Sequence, residues 1–260
     1  MTLIVGVRCE DGVVIGADSA ATLSALGQPT VRQQYDKVEI IGDKVLVAVS
    51  GPVGLGQRLV GELANAWTNK KLTGESWEVM TTLRRLFMPH LEDEFKAAQV
   101  AQPVVGALAR ESVLSHTLAA MPVKKEPRLF QFDHQGAPEE AKEKLPFVCI
   151  GSGQYLADPF MAFIAELFWQ KGKFPSLPDG VFATVWTIEH AISVAPGGIA
   201  SPVQVHILAK DDSDWMARRL EDGDLQEHYQ AIADARSALQ RFRTGFEPGE
   251  QDVPLPPPPT

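Results

Sequence analysis

Loss of Met1, which a small second residue permits, would leave Thr2 with a hydroxyl and a free α-amine on one residue. A hydroxyl is a poor nucleophile until a base takes its proton. An α-amine with a reference pKa of about 7.7–8.0 can take that proton near neutral pH, directly or through a water. A threonine in second place is commonplace, so the rest of the chain has to carry the case. A second candidate is the glycine-rich run Gly51-Pro52-Val53-Gly54-Leu55-Gly56, which follows a strand pattern and opens a helical one. A phosphate loop would sit there. Its spacing does not match a dinucleotide fingerprint, no Gly-Lys-Ser/Thr follows, and the next element is another helix. A tight strand-to-helix turn with outward backbone amides is the better reading. The histidines His90, His116, His134, His190, His206 and His228 show no metal-ligand spacing, so no metal is expected; no cofactor is expected either.

These groups need elements to hold them. Leu3 to Arg8 and Val13 to Ala17 are β-branched runs either side of an Asp11-Gly12 turn signal. A polar stretch containing Gly27-Gln28-Pro29 follows, then Lys37 to Ile41 and Lys44 to Val49, joined at Gly42-Asp43. Helical spacing appears in Leu55, Leu59, Leu63 and Trp67, and again from Trp77 to Phe95. Strand patterns return at Val113 to Val123, Arg128 to Asp133 and Phe147 to Ile150. Two more helical patterns run through Phe160 to Leu167 and Val181 to Ile192, then a strand over Pro202 to Leu208. A charged helix is expected from about Asp214 to Phe242. Two antiparallel sheets face to face, each covered outside by paired helices, would bury every apolar surface. The expected fold is α+β, a four-layer αββα sandwich. It would occupy residues 1–210, with a helical extension over 211–245 and a disordered Pro-rich tail over 246–260.

Composition narrows the function. The chain has 260 residues, with 24 Lys+Arg against 33 Asp+Glu and a net charge of −9. That balance argues against nucleic acid, which selects basic faces. No apolar run approaches the ~20 residues that span a bilayer, and the start lacks the basic and apolar parts of a signal peptide. Cys9 and Cys149 lie in apolar strand runs without a disulfide framework. A cytoplasmic protein without membrane association is expected.

Thr2-Leu3-Ile4-Val5-Gly6-Val7, followed by Asp11-Gly12-Val13-Val14-Ile15-Gly16-Ala17-Asp18-Ser19-Ala20-Ala21-Thr22, resembles the start of mature proteasome β-subunits and of the bacterial HslV peptidase. Both are threonine hydrolases with an N-terminal nucleophile. The resemblance continues through Lys37, Ala48-Val49-Ser50-Gly51 and Gly151-Ser152-Gly153, spans Thr2 to Lys210, and is most specific up to Gly51. It implies the sandwich inferred above, in a bacterial proteasome homologue. Thr2 would be nucleophile and base, Lys37 would lower the proton affinity of Thr2, and Asp18 would hold Lys37. Ser152 would close a hydrogen-bond network around the amine, and the Gly51 amide would donate to the oxyanion. Ala21 and Thr22 would line the edge where a peptide adds as a strand. Ala21 and Val49, near the specificity pocket, would favour an apolar side chain before the cut.

One part departs from the family pattern. An Asp and a Ser normally precede a Gly-Gly pair, but Ser193 and Pro196 stand there before Gly197-Gly198, with Ser201 as a substitute if the register shifts. A single Met precedes Thr2, so no long leader would need cleavage. The resemblance implies a threonine endopeptidase acting on peptides or unfolded proteins inside a homo-oligomeric ring, single or stacked as a double ring, fed by an ATP-dependent unfoldase. Two alternatives share the fold: a catalytically weak or inactive structural ring subunit, and an amidase acting on small amides.

Overall fold

In the computed structural model the described residues are 2–25, 28–107, 109, 113–195, 198–212 and 214–244, with backbone alone for those within 22–32 and for 243–244. Every residue of β1 (Ile4–Arg8) and β2 (Gly12–Ala17) is buried. A strand buried on both faces needs a packed layer above and below it, so a half-solvated sheet is excluded. Six shorter or more exposed segments follow: β3 (Ala20–Ala25), β4 (Gln28–Gln34), β5 (Val38–Ile41), β6 (Val45–Ser50), α1 (Val53–Thr68) and α2 (Ser76–Val105). Then come β7 (His116–Val123), β8 (Glu126–Phe132), β9 (Pro138–Glu140), β10 (Phe147–Ile150), α3 (Gln154–Phe168) and α4 (Leu177–Val194). The chain closes with β11 (Gln204–Asp211), β12 (Asp214–Arg219) and α5 (Asp222–Thr244).

Among the described residues, five strands form one antiparallel sheet in the order β10-β1-β2-β11-β12, and five a second in the order β5-β6-β7-β8-β9. Period-two alternation sends the side chains of one strand into two cores. Ile4 and Ile15 meet Leu46, Ala48, Leu118 and Leu129 between the sheets. Val5 and Val7 meet Met161, Ile164, Val185 and Ile188 of α3 and α4. On the far side of the second sheet, Val45 and Val47 pack on Leu59, Leu63, Leu83 and Phe87 of α1 and α2. Helices, sheet, sheet, helices is the expected αββα order.

Three local expectations change. The polar stretch after β2 is the β3–β4 ribbon, paired from Ala20↔Gln34 to Ala25↔Gln28 with a register shift at Leu23/Ser24. Its residues carry little β-branched signal, and Pro29 suits only a strand with a free edge. The helix expected from Asp214 begins at Asp222, because Asp214–Arg219 pairs with β11 from Asp211↔Asp214 to His206↔Arg219. Only Trp215 and Ala217 mark its buried face, and the helical spacing of Leu220, Leu225 and Ile232 hides so short an alternation. The helix expected to Phe95 runs on through Pro103 to Val105. The Pro-rich segment 246–260 lies outside the described residues.

Candidate active site

Strand register decides what surrounds Thr2. Ile4 is paired with Ala17 on one side and Ile150 on the other. The residue two places before it must therefore lie between the end of β2, at Asp18, and the turn after β10, at Gly151-Ser152. The Gly153 amide donates to the Thr2 carbonyl at 3.1 Å, and the Thr2 nitrogen donates to Ser152 Oγ at 3.0 Å. In the intact chain that nitrogen is the Met1–Thr2 peptide nitrogen; it stands for the α-amine once Met1 is gone. Gly151 has φ +96°, and a Cβ there would lie 2.3 Å from the Thr2 carbonyl oxygen. Only glycine can turn the chain so close to Thr2.

Asp18 is fully buried. Its Oδ1 accepts from the Leu3 amide at 2.8 Å and from Lys37 Nζ at 2.5 Å, and its Oδ2 from the Ala20 and Ala200 amides at 3.0 and 3.3 Å. Lys37, at the head of β5, is 7% exposed. A carboxylate taken out of water needs such donors, and a buried ammonium needs such a carboxylate. The pair joins the end of a strand in one sheet to the head of a strand in the other, and its Lys37 lines the same cavity as Thr2.

Thr2, Lys37, Gly51 and Ser152 share the wall of one cavity of about 500 Å³ with Ala21 and Val49. Asp18 stands behind Lys37. Gly51 has φ +132°, and a Cβ there would lie 2.6 Å from the Leu114 carbonyl oxygen, so this turn also requires glycine. The side chain of Thr22 lies outside the described set; its backbone is part of β3. Tyr35, Glu39, Gln57 and His116 also line the cavity, and no motif in the sequence singles them out for it. Glu39 and Gln57 carry an ordinary surface polarity in the sequence. His116 enters because it stands opposite Ser50 on β7, a pairing with no local signal. Burial, then the neighbouring His134, hold the His116 imidazole below its ordinary pKa, so it is neutral near pH 7.

The departing segment does not restore the usual side chains. The Ser193 hydroxyl donates to the His190 carbonyl at 2.7 Å, at the end of α4. Pro196 lies outside the described residues. Ser201 is exposed, and it is the amide of its neighbour Ala200 that reaches Asp18. Both cysteines are buried and unpaired, and burial pushes both thiols well up; such thiols are poor nucleophiles. Among the described residues no group of three or more His, Cys, Asp or Glu is placed to hold a metal ion. No helix among them is long and apolar enough to cross a membrane.

A family model described as Proteasome subunit matches residues 2–162, a span that contains Thr2, Asp18, Lys37, Gly51 and Ser152. No curated protein matches the chain. Among solved structures it is similar to Anbu, the ancestral beta-subunit, from Yersinia bercovieri, at 15% identity, TM-score 0.65 and coverage of 96% of this chain and 99% of that one. A Gly-1 mutant of Anbu from Hyphomicrobium sp. strain MC1 is similar at 18% identity and TM-score 0.64, covering 97% and 100%. So is the helical assembly of the Anbu complex from Pseudomonas aeruginosa, at 14% and 0.65, covering 99% and 98%. At these identities the likeness concerns the fold.

Proposed function

The chain belongs to the proteasome subunit family, and from that premise we propose that it is a threonine peptidase whose nucleophile is Thr2 after removal of Met1. The observation that carries the reading is the convergence on one cavity of Thr2, Ser152, Gly51 and a lysine whose charge is held by a saturated, buried carboxylate. Thr2 Oγ attacks the peptide carbonyl carbon while its proton passes to the α-amine. The Gly51 amide stabilises the oxyanion. Collapse breaks the C–N bond, the leaving amine takes the proton from the α-ammonium, and an ester remains on Thr2. Water, deprotonated by the α-amine, hydrolyses that ester and restores the hydroxyl. Lys37 lowers the proton affinity of Oγ by its charge, Asp18 holds Lys37 in place, and Ser152 orients the amine.

The substrate is an extended peptide or unfolded chain. β3 pairs with β4 alone among the described strands; past the Ala20 amide, which Asp18 holds, its other edge runs beside Ala21 of the cavity and can take a peptide as an added strand. Ala21 and Val49 favour an apolar side chain before the cut. Copies of the chain assemble, as Anbu from Pseudomonas aeruginosa does in its helical assembly; electron microscopy separates a ring from a helix. Residence in the cytoplasm of a bacterium, with an ATP-dependent unfoldase as feeder, follows from the same reading.

Intact mass and a fluorogenic peptide panel test the assignment. Protein lacking Met1 should hydrolyse peptides, and Thr2→Ala should fall to background. Hydrolysis surviving in Thr2→Ala would refute the nucleophile. The rival reading, a structural subunit without activity, is favoured by Ser193, whose hydroxyl is turned to His190 rather than to the amine. A dominant species that retains Met1 and hydrolyses nothing would select it. Cleavage of small amides but no peptide would select the amidase.

A further inference from the structure

We propose that Gln204 is the positioning residue of the Lys37 ammonium. Lys37 precedes β5, an edge strand of only four residues whose ladder begins at Val38↔Ala48. The backbone of Lys37 therefore lies beyond the pairing that fixes the strand. Asp18, its partner, belongs to the other sheet. Any group that ties the head of β5 to the end of β2 therefore helps to fix the geometry of the ion pair.

The side chain of Gln204 does so. It is 1% exposed, and its Oε1 accepts from the Lys37 amide at 3.1 Å. Its Nε2 donates to the Tyr35 carbonyl at 2.8 Å and to Ser19 Oγ at 3.0 Å. Ser19 Oγ in turn donates to the Pro202 carbonyl. The backbone of Gln204 is registered against Ala17, the residue before Asp18. One buried amide thus ties both sides of the ion pair: Tyr35 and Lys37 on one, Ser19 on the other. A primary amide offers one acceptor and two donors, and all three have partners here. Glutamate keeps the acceptor but loses both donors, and methionine keeps the length and loses everything polar. The catalytic consequence rests on the peptidase reading; the positioning of Lys37 does not.

Two readouts separate these. In the purified assembly, brief methylation of lysines, read by peptide mass spectrometry, reports the accessibility of each ammonium. Gln204→Met is expected to raise labelling of Lys37 at least about fivefold, the factor matching one net hydrogen bond, while Lys44 and Lys142 do not change. Peptide turnover should fall roughly 10–100-fold in kcat with KM unchanged, the signature of a displaced group rather than lost binding. Unchanged Lys37 labelling overturns the proposal, and so does a parallel rise at all lysines, which marks general loosening. Should Gln204→Met not fold, Ser19→Ala, which removes one tie, is expected to raise Lys37 labelling alone about twofold, less than a full hydrogen bond's worth; no rise overturns the proposal equally. A wild-type protein without Thr2-dependent hydrolysis sinks the peptidase reading, and the labelling still decides the role of Gln204.

Discussion

Asp18 and Lys37 form one ion pair, but removing either partner has different consequences. Lys37→Met leaves the carboxylate three backbone donors, from Leu3, Ala20 and Ala200. Asp18→Asn removes the charge that all four donors share, and turns an amide donor toward at least one of them. Breaking a buried pair costs about 3–5 kcal/mol when one charge is left without compensation. Asp18→Asn is expected to fall in that range and Lys37→Met clearly below it, with peptide hydrolysis lost in both. Denaturant midpoints of the two variants check this; equal midpoints would contradict the asymmetry. Gly151→Ala is a sharper local test. Its Cβ would meet the Thr2 carbonyl oxygen at 2.3 Å with φ at +96°, so both strain and displacement of Thr2 are expected. A loss of about 1–3 kcal/mol, the usual cost of such backbone strain, should accompany loss of hydrolysis. An active Gly151→Ala would show that the tight wrap around Thr2 is dispensable.

At the scale of strands and helices, legibility followed the strength of the local pattern. The β-branched runs of β1, β2, β5 and β6 and the spaced leucines of α1 announce themselves, because their apolar residues repeat at the period of the element. β3 does not, because Ala20-Ala21-Thr22-Leu23-Ser24-Ala25 has neither a strong alternation nor β-branched bulk. β12 is hidden by the helix that follows. Which hairpins share a sheet was not readable either: β1–β2 and β5–β6 look alike in sequence and lie in opposite sheets. The candidate site was legible where motifs carry it, at Thr2, Asp18, Lys37, Gly51 and Ser152. Gln204 was not, since nothing local says that a glutamine opening a strand will reach Lys37 across 167 positions. The same strand, β11, places His206 between the sheets. Burial, then Arg219, lower its pKa to about 4, with Asp36 opposing, and Nδ1 has no hydrogen-bond partner among the described residues. The folded state keeps this imidazole neutral, while the unfolded state protonates it below its ordinary 6.5. Its contribution is therefore full above pH 6.5 and lost as pH falls. The loss amounts to about 2 kcal/mol at pH 5 and about 3 near pH 4. His206→Leu should flatten this part of the stability–pH curve measured by urea unfolding; an unchanged slope would assign the acid lability elsewhere.

For the whole molecule, the question is where the cooperative unit ends. A boundary at residue 210 falls inside β11 and leaves out β12, the edge strand of the first sheet; residues beyond it would be removable only if they leaned on a sandwich already complete. The packing argues that they are integral. Trp215 and Ala217 belong to the core between the sheets, and Leu220, Leu225 and Ile232 to the core under α3 and α4. β12 also crosses between layers: the Ala217 amide donates to the Asp43 carbonyl at 2.7 Å, and Trp215 Nε1 to the Lys125 carbonyl at 3.2 Å. Both acceptors lie in turns of the second sheet. Cutting the chain after Asp211 would uncover two cores at once and leave β11 as a raw edge, which invites pairing with other chains. Each large apolar side chain returned to water costs about 1.5–3 kcal/mol, so the loss of Trp215, Leu220, Leu225 and Ile232 approaches the whole stability of a domain. The truncated chain 1–211 is expected to aggregate or to be digested rapidly by protease. Within α5 the effect should be graded: Ile232→Ala should cost about 2–4 kcal/mol as a buried truncation. Leu239→Ala, at a position 53% exposed, should stay within about 0.5 kcal/mol. A soluble, protease-resistant 1–211 would make the C-terminal segment an appendage rather than part of the sandwich.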